Sequence, residues 1–193
     1  MEKKKFFTVY RLAVIGLMSA MVFACTFIHI DIPVPLSNKV MIHFGNVMCI
    51  LTALLFGPVT GGFAAGIGSA IYDLTDPTYA PEFWVTFLMK FAMAFVAGVI
   101  AHSGGAQGKQ KGRNILAAVC GAATYVVLYG CKTIIVQRFI MGVVWQAVWP
   151  VVITKCSVSL FNAVIAAVCS VLLTLALRRP LASAGVFDKL QSS

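Results

Sequence analysis

Charged residues are scarce in this sequence. Asp, Glu, Lys and Arg together make up 11% of its 193 residues, whereas hydrophobic residues make up 60%. Soluble domains carry about 25% charged residues, so the composition excludes an ordinary soluble protein. It indicates a single integral membrane domain over residues 1–193, because a chain of this length leaves no room for a separate soluble catalytic domain.

Acidic residues are especially few, six against fifteen Lys and Arg, and the formal net charge is +9. Ten of the basic residues fall in three clusters: Lys3, Lys4, Lys5 and Arg11; Lys109, Lys111 and Arg113; Arg178, Arg179 and Lys189. Four of the acids lie between the first two clusters, at Asp31, Asp73, Asp76 and Glu82. Cytoplasmic segments of membrane proteins are enriched in Lys and Arg. The pattern therefore predicts a cytoplasmic N-terminus and C-terminus, and it argues against binding of nucleic acid.

Motifs for catalysis and metal binding are also missing. The sequence contains no P-loop, no H-E-x-x-H and no C-x-x-C, and its six cysteines all lie in apolar segments, as small buried side chains do. Its three histidines fall at predicted positions where none can pair with a serine. We therefore predict no enzymatic activity, no metal site and no cofactor, so that any ATP-driven step requires other polypeptides.

Residues 43–72 contain no Asp, Glu, Lys or Arg. At about 1.5 Å per residue, one helix of that length would exceed the roughly 30 Å hydrocarbon core of a bilayer. Gly57-Pro58 and Gly61-Gly62 interrupt the stretch, which predicts a hairpin of two short membrane helices bending on the cytoplasmic side. The second helix is rich in Gly and Ala, and small residues allow helices to approach closely.

The apolar runs together predict an all-α, six-transmembrane-helix bundle. Its helices cover approximately residues 7–28, 41–56, 60–74, 82–102, 115–137 and 151–177. The first run is predicted to be a membrane helix rather than a signal peptide, since no A-x-A site follows it. Residues 29–39 and residues 138–150 are predicted external loops. Arg178-Arg179-Pro180 is predicted to end the last helix before an unstructured tail.

One part of the sequence resembles a known family. The run Gly45-Asn46…LLFGPVTGGFAAGIGSAIYDL, followed by Tyr79-Ala80-Pro81-Glu82-Phe83…Lys90, resembles the substrate-binding (S) components of energy-coupling factor (ECF) vitamin transporters. The resemblance covers mainly residues 11–101 and points to the branch for riboflavin and pyrimidine or pyridoxine uptake. It implies a multi-pass protein of a bacterial or archaeal cytoplasmic membrane. It also implies partners, a transmembrane coupling subunit and two ATPase subunits, which use the ATP.

Polar residues inside the predicted helices need a partner or a function, because placing them in lipid is costly. Those on the last three helices recur at helical spacing, so that each set lies on one face. The sets are Lys90; Tyr125, Tyr129 and Lys132; and Lys155, Ser159 and Asn162. They predict an outward-opening cavity, capped by the 29–39 loop and by a loop carrying Trp145 and Trp149. Alternatively, Lys132 and Lys155 extend to the lipid headgroups and Asn162 bonds to another helix.

The resemblance implies a ligand in the same region and a contact from Asn162, in the setting Leu160-Phe161-Asn162-Ala163. Asn46, in the resembling run, is a further candidate for substrate binding. On the first helix, Gly16, Ala20 and Ala24 recur every four residues. The resemblance implies that this stripe faces the coupling subunit, although small residues at that spacing serve packing within a bundle equally well.

The sequence therefore predicts a membrane subunit that captures a small, flat nutrient and delivers it inward only with a coupling module. The resemblance implies riboflavin, hydroxymethylpyrimidine, pyridoxine or a deazapurine base as candidate substrates. It argues against thiamine, because the thiamine branch has more tryptophans in its pocket than this chain. Two other classes remain open. An intramembrane enzyme acting on lipid or peptide is disfavoured by the lack of a nucleophile and base at one depth. A self-sufficient secondary transporter is disfavoured by the lack of an internal repeat.

Overall fold

The computed structural model describes residues 8–34 and 39–192. Its α-helices, numbered in chain order, are α1 (Val9–Thr26), α2 (Gly45–Phe56), α3 (Pro58–Thr75), α4 (Phe83–His102), α5 (Lys111–Ile134), α6 (Trp145–Ser183) and α7 (Val186–Ser192). A π-helix over Ile135–Ile140 prolongs α5, and one turn of 3₁₀-helix lies on each side of α4, at Ala80–Glu82 and Ser103–Gly105. Two short strands, β1 (His29–Pro33) and β2 (Lys39–His43), precede α2.

Among the described residues, four helical segments are long and apolar enough to cross a membrane: Val9–Thr26, Ala80–Gly105, Lys111–Ile140 and Trp145–Ser183. The helix α2 is a shorter apolar helix. The predicted class, a predominantly helical membrane protein, is therefore confirmed. The first helix begins two residues later than predicted, after an N-cap at Thr8 whose hydroxyl accepts from the Arg11 amide at 3.3 Å, and residue 7 lies outside the described part of the chain.

The central helix α2 is buried along its length, from Gly45 to Leu55. It contacts α1, α3, α4, α5 and α6. The bend that follows it rests on Gly57, whose φ of +88° is readily adopted only by glycine, and on Pro58, which begins α3. At Gly61, an added Cβ would lie 2.5 Å from the Cα of Ala53. The small residues of α3 thus permit the close helix packing that the sequence predicts.

The predicted external loop at 29–39 is an antiparallel β-hairpin in the described residues. His29 pairs with His43 and Pro33 with Lys39, while residues 35–38 of the predicted loop lie outside the described residues. Residues 41–43, predicted as the start of a helix, belong to β2. The reason is local: Ile30, Ile32, Val40 and Ile42 place β-branched side chains at alternate positions of two adjacent runs, which favours strands.

The prediction of a loop at 138–150 was wrong over most of its length. Residues up to 140 continue the fifth helix as a π-helix, and α6 begins at Trp145, so that Pro150 lies inside it. Pro150 is the sixth residue of α6, beyond the four N-terminal amides that have no intrahelical partner, so it removes one helical hydrogen bond without ending the helix. A proline alone was therefore a poor indicator of the helix boundary.

The prediction of an unstructured tail after residue 177 was also wrong, because α6 continues through Pro180 to Ser183 and is followed by α7. The guanidinium of Arg178 donates to the carbonyl of Gln107 and lies 5.0 Å from the ring centroid of Phe187. The Phe187 ring lies 6.1 Å from that of Phe56. These contacts, between residues far apart in sequence, hold the C-terminal segment against the bundle.

Candidate ligand-binding site

A cavity of about 260 Å³ lies at the end of the bundle that carries the β-hairpin. This volume is slightly below the range of about 300–1,000 Å³ that is typical of small-molecule sites. Seven of the ten residues predicted to bind substrate line it: Lys90, Tyr125, Tyr129, Lys132, Lys155, Ser159 and Asn162. The structure thus brings the three predicted polar sets, from α4, α5 and α6, together around one space.

The tyrosines on α5 give the cavity an aromatic wall. The rings of Tyr125 and Tyr129 are stacked, with centroids 5.7 Å apart and planes 16° apart. The Lys90 ammonium lies 3.9 Å from the Tyr125 ring centroid, close enough for a cation–π interaction. Lys90 also donates to the side-chain oxygen of Asn46 on α2. Asn46 itself does not line the cavity; its observed contact is with Lys90.

A salt bridge joins Lys132 on α5 to Glu82, just before α4. The Lys132 ammonium also lies 5.6 Å from the Tyr129 ring centroid. This contact connects the start of α4 to the end of α5. Both residues line the cavity, and their opposite charges neutralise each other.

Lys155 and Ser159 lie one helical turn apart on α6. The side chain of Ser159 is only 3% exposed, and its hydroxyl has no hydrogen-bond partner among the described residues. Lys155 forms none of the salt bridges or hydrogen bonds found within residues 8–34 and 39–192, although the Lys132–Glu82 pair lies within electrostatic range of it. Both side chains line the cavity and have capacity left to bind a ligand.

Asn162 attaches the β-hairpin to α6. Its side-chain amide nitrogen donates to the carbonyl of Met41 at 2.8 Å, and its side-chain oxygen accepts from the amide of His43 at 3.1 Å. The residue lines the cavity, but both of its polar atoms bond to the backbone of β2. The sequence predicted a ligand contact or, alternatively, a hydrogen bond to another helix; the observed hydrogen bonds are to β2, a strand that was not predicted.

The two tryptophans predicted to cap the site do not line the cavity. Trp145 and Trp149 lie in the first two turns of α6, 42% and 51% exposed, with ring centroids 6.2 Å apart. The guanidinium of Arg138 lies 5.3 Å from the Trp145 ring centroid. Because α6 begins earlier than predicted, these rings sit on a helix surface.

Several cavity residues were not predicted from the sequence. They come mostly from β2 and from the segment between α3 and α4, and include Lys39, Met41, His43, Tyr72, Asp73, Thr78, Tyr79 and Thr86. The alternation of β-branched residues in 29–43 was the available signal for the strand. No comparable signal marks the segment at 76–82, because its position depends on how the ends of α3 and α4 pack.

An ion-pair cluster lies at the rim, outside the membrane helices. The Lys39 ammonium is 2.9 Å from an oxygen of Asp31 and 2.8 Å from an oxygen of Asp76. The hydrogen bonds that the Lys39 ammonium donates to Asp76 and Asp31 raise the pKa of Lys39. Burial alone would raise the pKa of Asp76, but its hydrogen bonds with Lys39 and with the Thr78 amide outweigh it, so that this pKa lies below the usual value. The cluster attaches the hairpin to the segment after α3.

The small-residue stripe of α1 faces away from the other helices of the described structure. Gly16, Ala20 and Ala24 are all exposed, and a Cβ added at Gly16 would meet no atom within 4 Å. Leu17 and Met21, beside them, are 65% and 41% exposed. Packing within the bundle is therefore not what this stripe serves, and its role as a partner surface stays a prediction.

The arrangement of helices is similar to that of a known class of membrane protein. A solved structure described as "Structure and mechanism of the S component of a bacterial ECF transporter" superposes with a TM-score of 0.56, over 90% of this chain and 95% of that one. The two sequences are 19% identical, so the likeness concerns the fold alone.

The sequence comparison gives the family. Residues 6–179 match the model of the ECF-type riboflavin transporter S component, and the chain belongs to this family. It is also 35% identical over 101 residues to an uncharacterized protein in gap 3'region of Pyrococcus woesei, a match that covers 52% of this chain and 63% of that protein. The family consists of substrate-binding membrane subunits of vitamin transporters, not of enzymes. At the level of the family, such subunits work with a transmembrane subunit and ATPases.

Proposed function

We propose that this chain captures riboflavin, or a closely related heterocycle, from outside the cell and delivers it inward with an ATP-driven coupling module. The observation that carries this proposal is the cavity: stacked tyrosines, two compensated lysines and two uncompensated polar groups surround one space at the hairpin end. Flat rings bind well beside aromatic side chains, and the cavity's polar side chains without a partner can bind the heteroatoms of such a ring.

We propose six membrane spans, formed by α1 to α6, with both chain termini in the cytoplasm. In this arrangement the three basic clusters lie inside, and the hairpin and cavity face outward. The helix α2 has 12 residues, about 18 Å of helix, which is shorter than a bilayer core of roughly 30 Å. The β-hairpin above its first turn would then occupy part of the outer leaflet depth, with the backbone groups between its two strands paired.

The proposed partner surface is the stripe of Gly16, Ala20 and Ala24 on α1. Its exposure supports this assignment, because small residues in membrane helices favour close contact with another helix. The coupling partners would be a transmembrane subunit and two ATPase subunits in a bacterial or archaeal cytoplasmic membrane. We expect the chain itself to bind no metal and no cofactor, since ATP is hydrolysed by the partners.

Binding to the purified chain tests the proposal. The protein in detergent, without partners, should bind riboflavin stoichiometrically in isothermal titration calorimetry, and a vitamin should co-purify with it in native mass spectrometry. Hydroxymethylpyrimidine, pyridoxine and a deazapurine base complete the panel. A chain that binds lipid or peptide but none of these heterocycles would contradict the proposal.

A further inference from the structure

The charges that line the cavity do not cancel evenly. Four lysines line it, against two acids, Asp73 and Glu82, and one histidine, His43. Lys39 is held by Asp31 and Asp76 at the rim. Lys132 is held by Glu82, and Lys90 by Asn46 and the Tyr125 ring. The remaining lysine, Lys155, has no such partner in the described part of the chain.

Ser159 lies one turn further along α6 than Lys155. Ser159 is 97% removed from solvent, borders the cavity, and has a hydroxyl without a hydrogen-bond partner in the described ranges. Buried polar groups in native structures are nearly always satisfied. Residues four apart share one helix face, so Lys155 and Ser159 are placed to serve one ligand group.

The chemistry of the two side chains limits what that group can be. A lysine ammonium has donors and no acceptor, and a cation in a low-dielectric wall repels another cation. A serine hydroxyl can donate to the same oxygen or to its neighbour. The complementary group is therefore a hydrogen-bond acceptor, and on an oxo-heterocycle such as riboflavin, the proposed substrate, a ring carbonyl oxygen supplies it.

We propose that Lys155 and Ser159 form a carbonyl-binding subsite that selects neutral oxo-heterocycles and rejects cationic ones. The inference rests on the proposed function, and it adds which residues of this chain set the substrate class. Lys90, Lys132 and Asn162 then stabilise the shape of the site through the contacts already described, while Lys155 and Ser159 donate hydrogen bonds to the ligand's carbonyl oxygen.

Two variants and a matched control test this subsite. Lys155→Met keeps the length of the side chain and removes the charge, Ser159→Ala removes the hydroxyl, and Lys111→Met removes an exposed lysine of the proposed cytoplasmic face. The ligands are riboflavin and lumiflavin, which carry the same ring carbonyls but differ in the ribityl chain, a carbonyl-bearing deazapurine base, and thiamine. Affinity is measured by calorimetry, and thermal unfolding of the ligand-free protein is followed in parallel.

We expect Lys155→Met to lower the affinity for riboflavin and for lumiflavin alike, by about tenfold or more, because a hydrogen bond to a charged group is lost. Ser159→Ala should lower both affinities by a smaller factor, and Lys111→Met should leave both affinities unchanged. Ligand-free Lys155→Met should unfold at the wild-type temperature or above it, because the change removes an uncompensated charge. A lysine with a purely structural role would instead lower the unfolding temperature, which would overturn the inference.

The other outcomes are also decisive. Unchanged flavin affinity in Lys155→Met, or a loss confined to riboflavin, overturns the subsite, since Lys155 then contacts nothing or only the ribityl chain. If the wild-type chain binds the deazapurine but neither flavin, and Lys155→Met weakens binding of the deazapurine, only the proposed substrate is contradicted. Binding of thiamine alone, or of no ligand in the panel, contradicts both proposals.

Discussion

At the scale of single residues, the four lysines of the cavity show how far sequence reasoning reaches. Helical spacing was enough to bring Lys90, Lys132 and Lys155 to one space. It could not tell their roles apart, because each role depends on a partner from a distant segment. Glu82, which pairs with Lys132, is 50 positions away in sequence, and Asn46, which accepts from Lys90, is 44 away.

Asn162 provides the first prediction. Asn162→Leu leaves the Met41 carbonyl and the His43 amide without their side-chain partners, and an unmet buried polar group costs about 1–3 kcal/mol. We expect riboflavin affinity to fall by about tenfold or more, because the hairpin that bounds the cavity loses its attachment to α6. Calorimetry measures this, with Ser157→Leu, an exposed position on the same helix, as the control. Equal affinities in the two variants would show that the attachment is dispensable.

The rim cluster gives a pH prediction. The folded-state pKa of Asp76 lies below its usual value of about 3.9, so its contribution to stability is present above that value and is lost as the pH falls through the folded pKa. The pKa of Lys39 is raised, so its contribution holds below about 10.4 and is lost as the pH rises through the folded value. We therefore expect this pair to contribute constantly from about pH 5 to pH 10.

Asp76→Asn tests this expectation. The pair is partly exposed, so its loss should lower the free energy of unfolding at pH 7 by about 0.2–1 kcal/mol. Below about pH 4, the free energy of unfolding should fall less steeply with pH in the variant than in the wild type, because residue 76 no longer takes up a proton. Thermal unfolding across the pH range measures both effects, with Asp188→Asn, at an exposed acid of α7, as the control. An Asp76→Asn profile that overlays the wild type would refute the prediction.

At the scale of elements, long apolar runs were predicted well and their ends were not. The helices around the 57–58 bend lie within a few residues of their predicted bounds, because a glycine with positive φ followed by proline is a strong local signal. The ends of α6 were missed because both prolines, Pro150 and Pro180, lie inside it. The β-hairpin was missed because its strands have only five residues each and interrupt a run of membrane helices.

The exposed face of α1 gives a prediction at this scale. Ala20→Leu adds bulk at a position that is exposed in the described structure, so riboflavin binding should stay unchanged. Transport with the coupling module should fall by about tenfold or more, because two helices can no longer approach. Binding to the purified variant and uptake by cells expressing the module are compared. Ala123→Leu, an exposed alanine on α5, is the control. Loss of binding in Ala20→Leu would place this face within the bundle's own packing.

At the scale of the whole molecule, charge divides the chain into two ends. The basic clusters at 109–113 and 178–179 lie beside the helix ends opposite the cavity, where Arg178 contacts Gln107. The acids Asp31, Asp76 and Glu82 lie at the hairpin end and pair there with lysines. The distribution of charge could be predicted from the sequence because it follows membrane orientation. The pairing could not, because it depends on packing across the hairpin and three helices.

The absence of a P-loop leads to the last prediction, on energy coupling. The sequence has no phosphate-binding motif, and the proposed function assigns ATP hydrolysis to the partner subunits. We expect labelled riboflavin to accumulate in cells that express both this chain and a coupling module. Cells that express the chain alone should bind it at their surface without accumulation. The control is a module whose ATPase subunits carry an inactivating P-loop substitution. Accumulation with that inactive module, or without any module, would mean that this chain transports by itself.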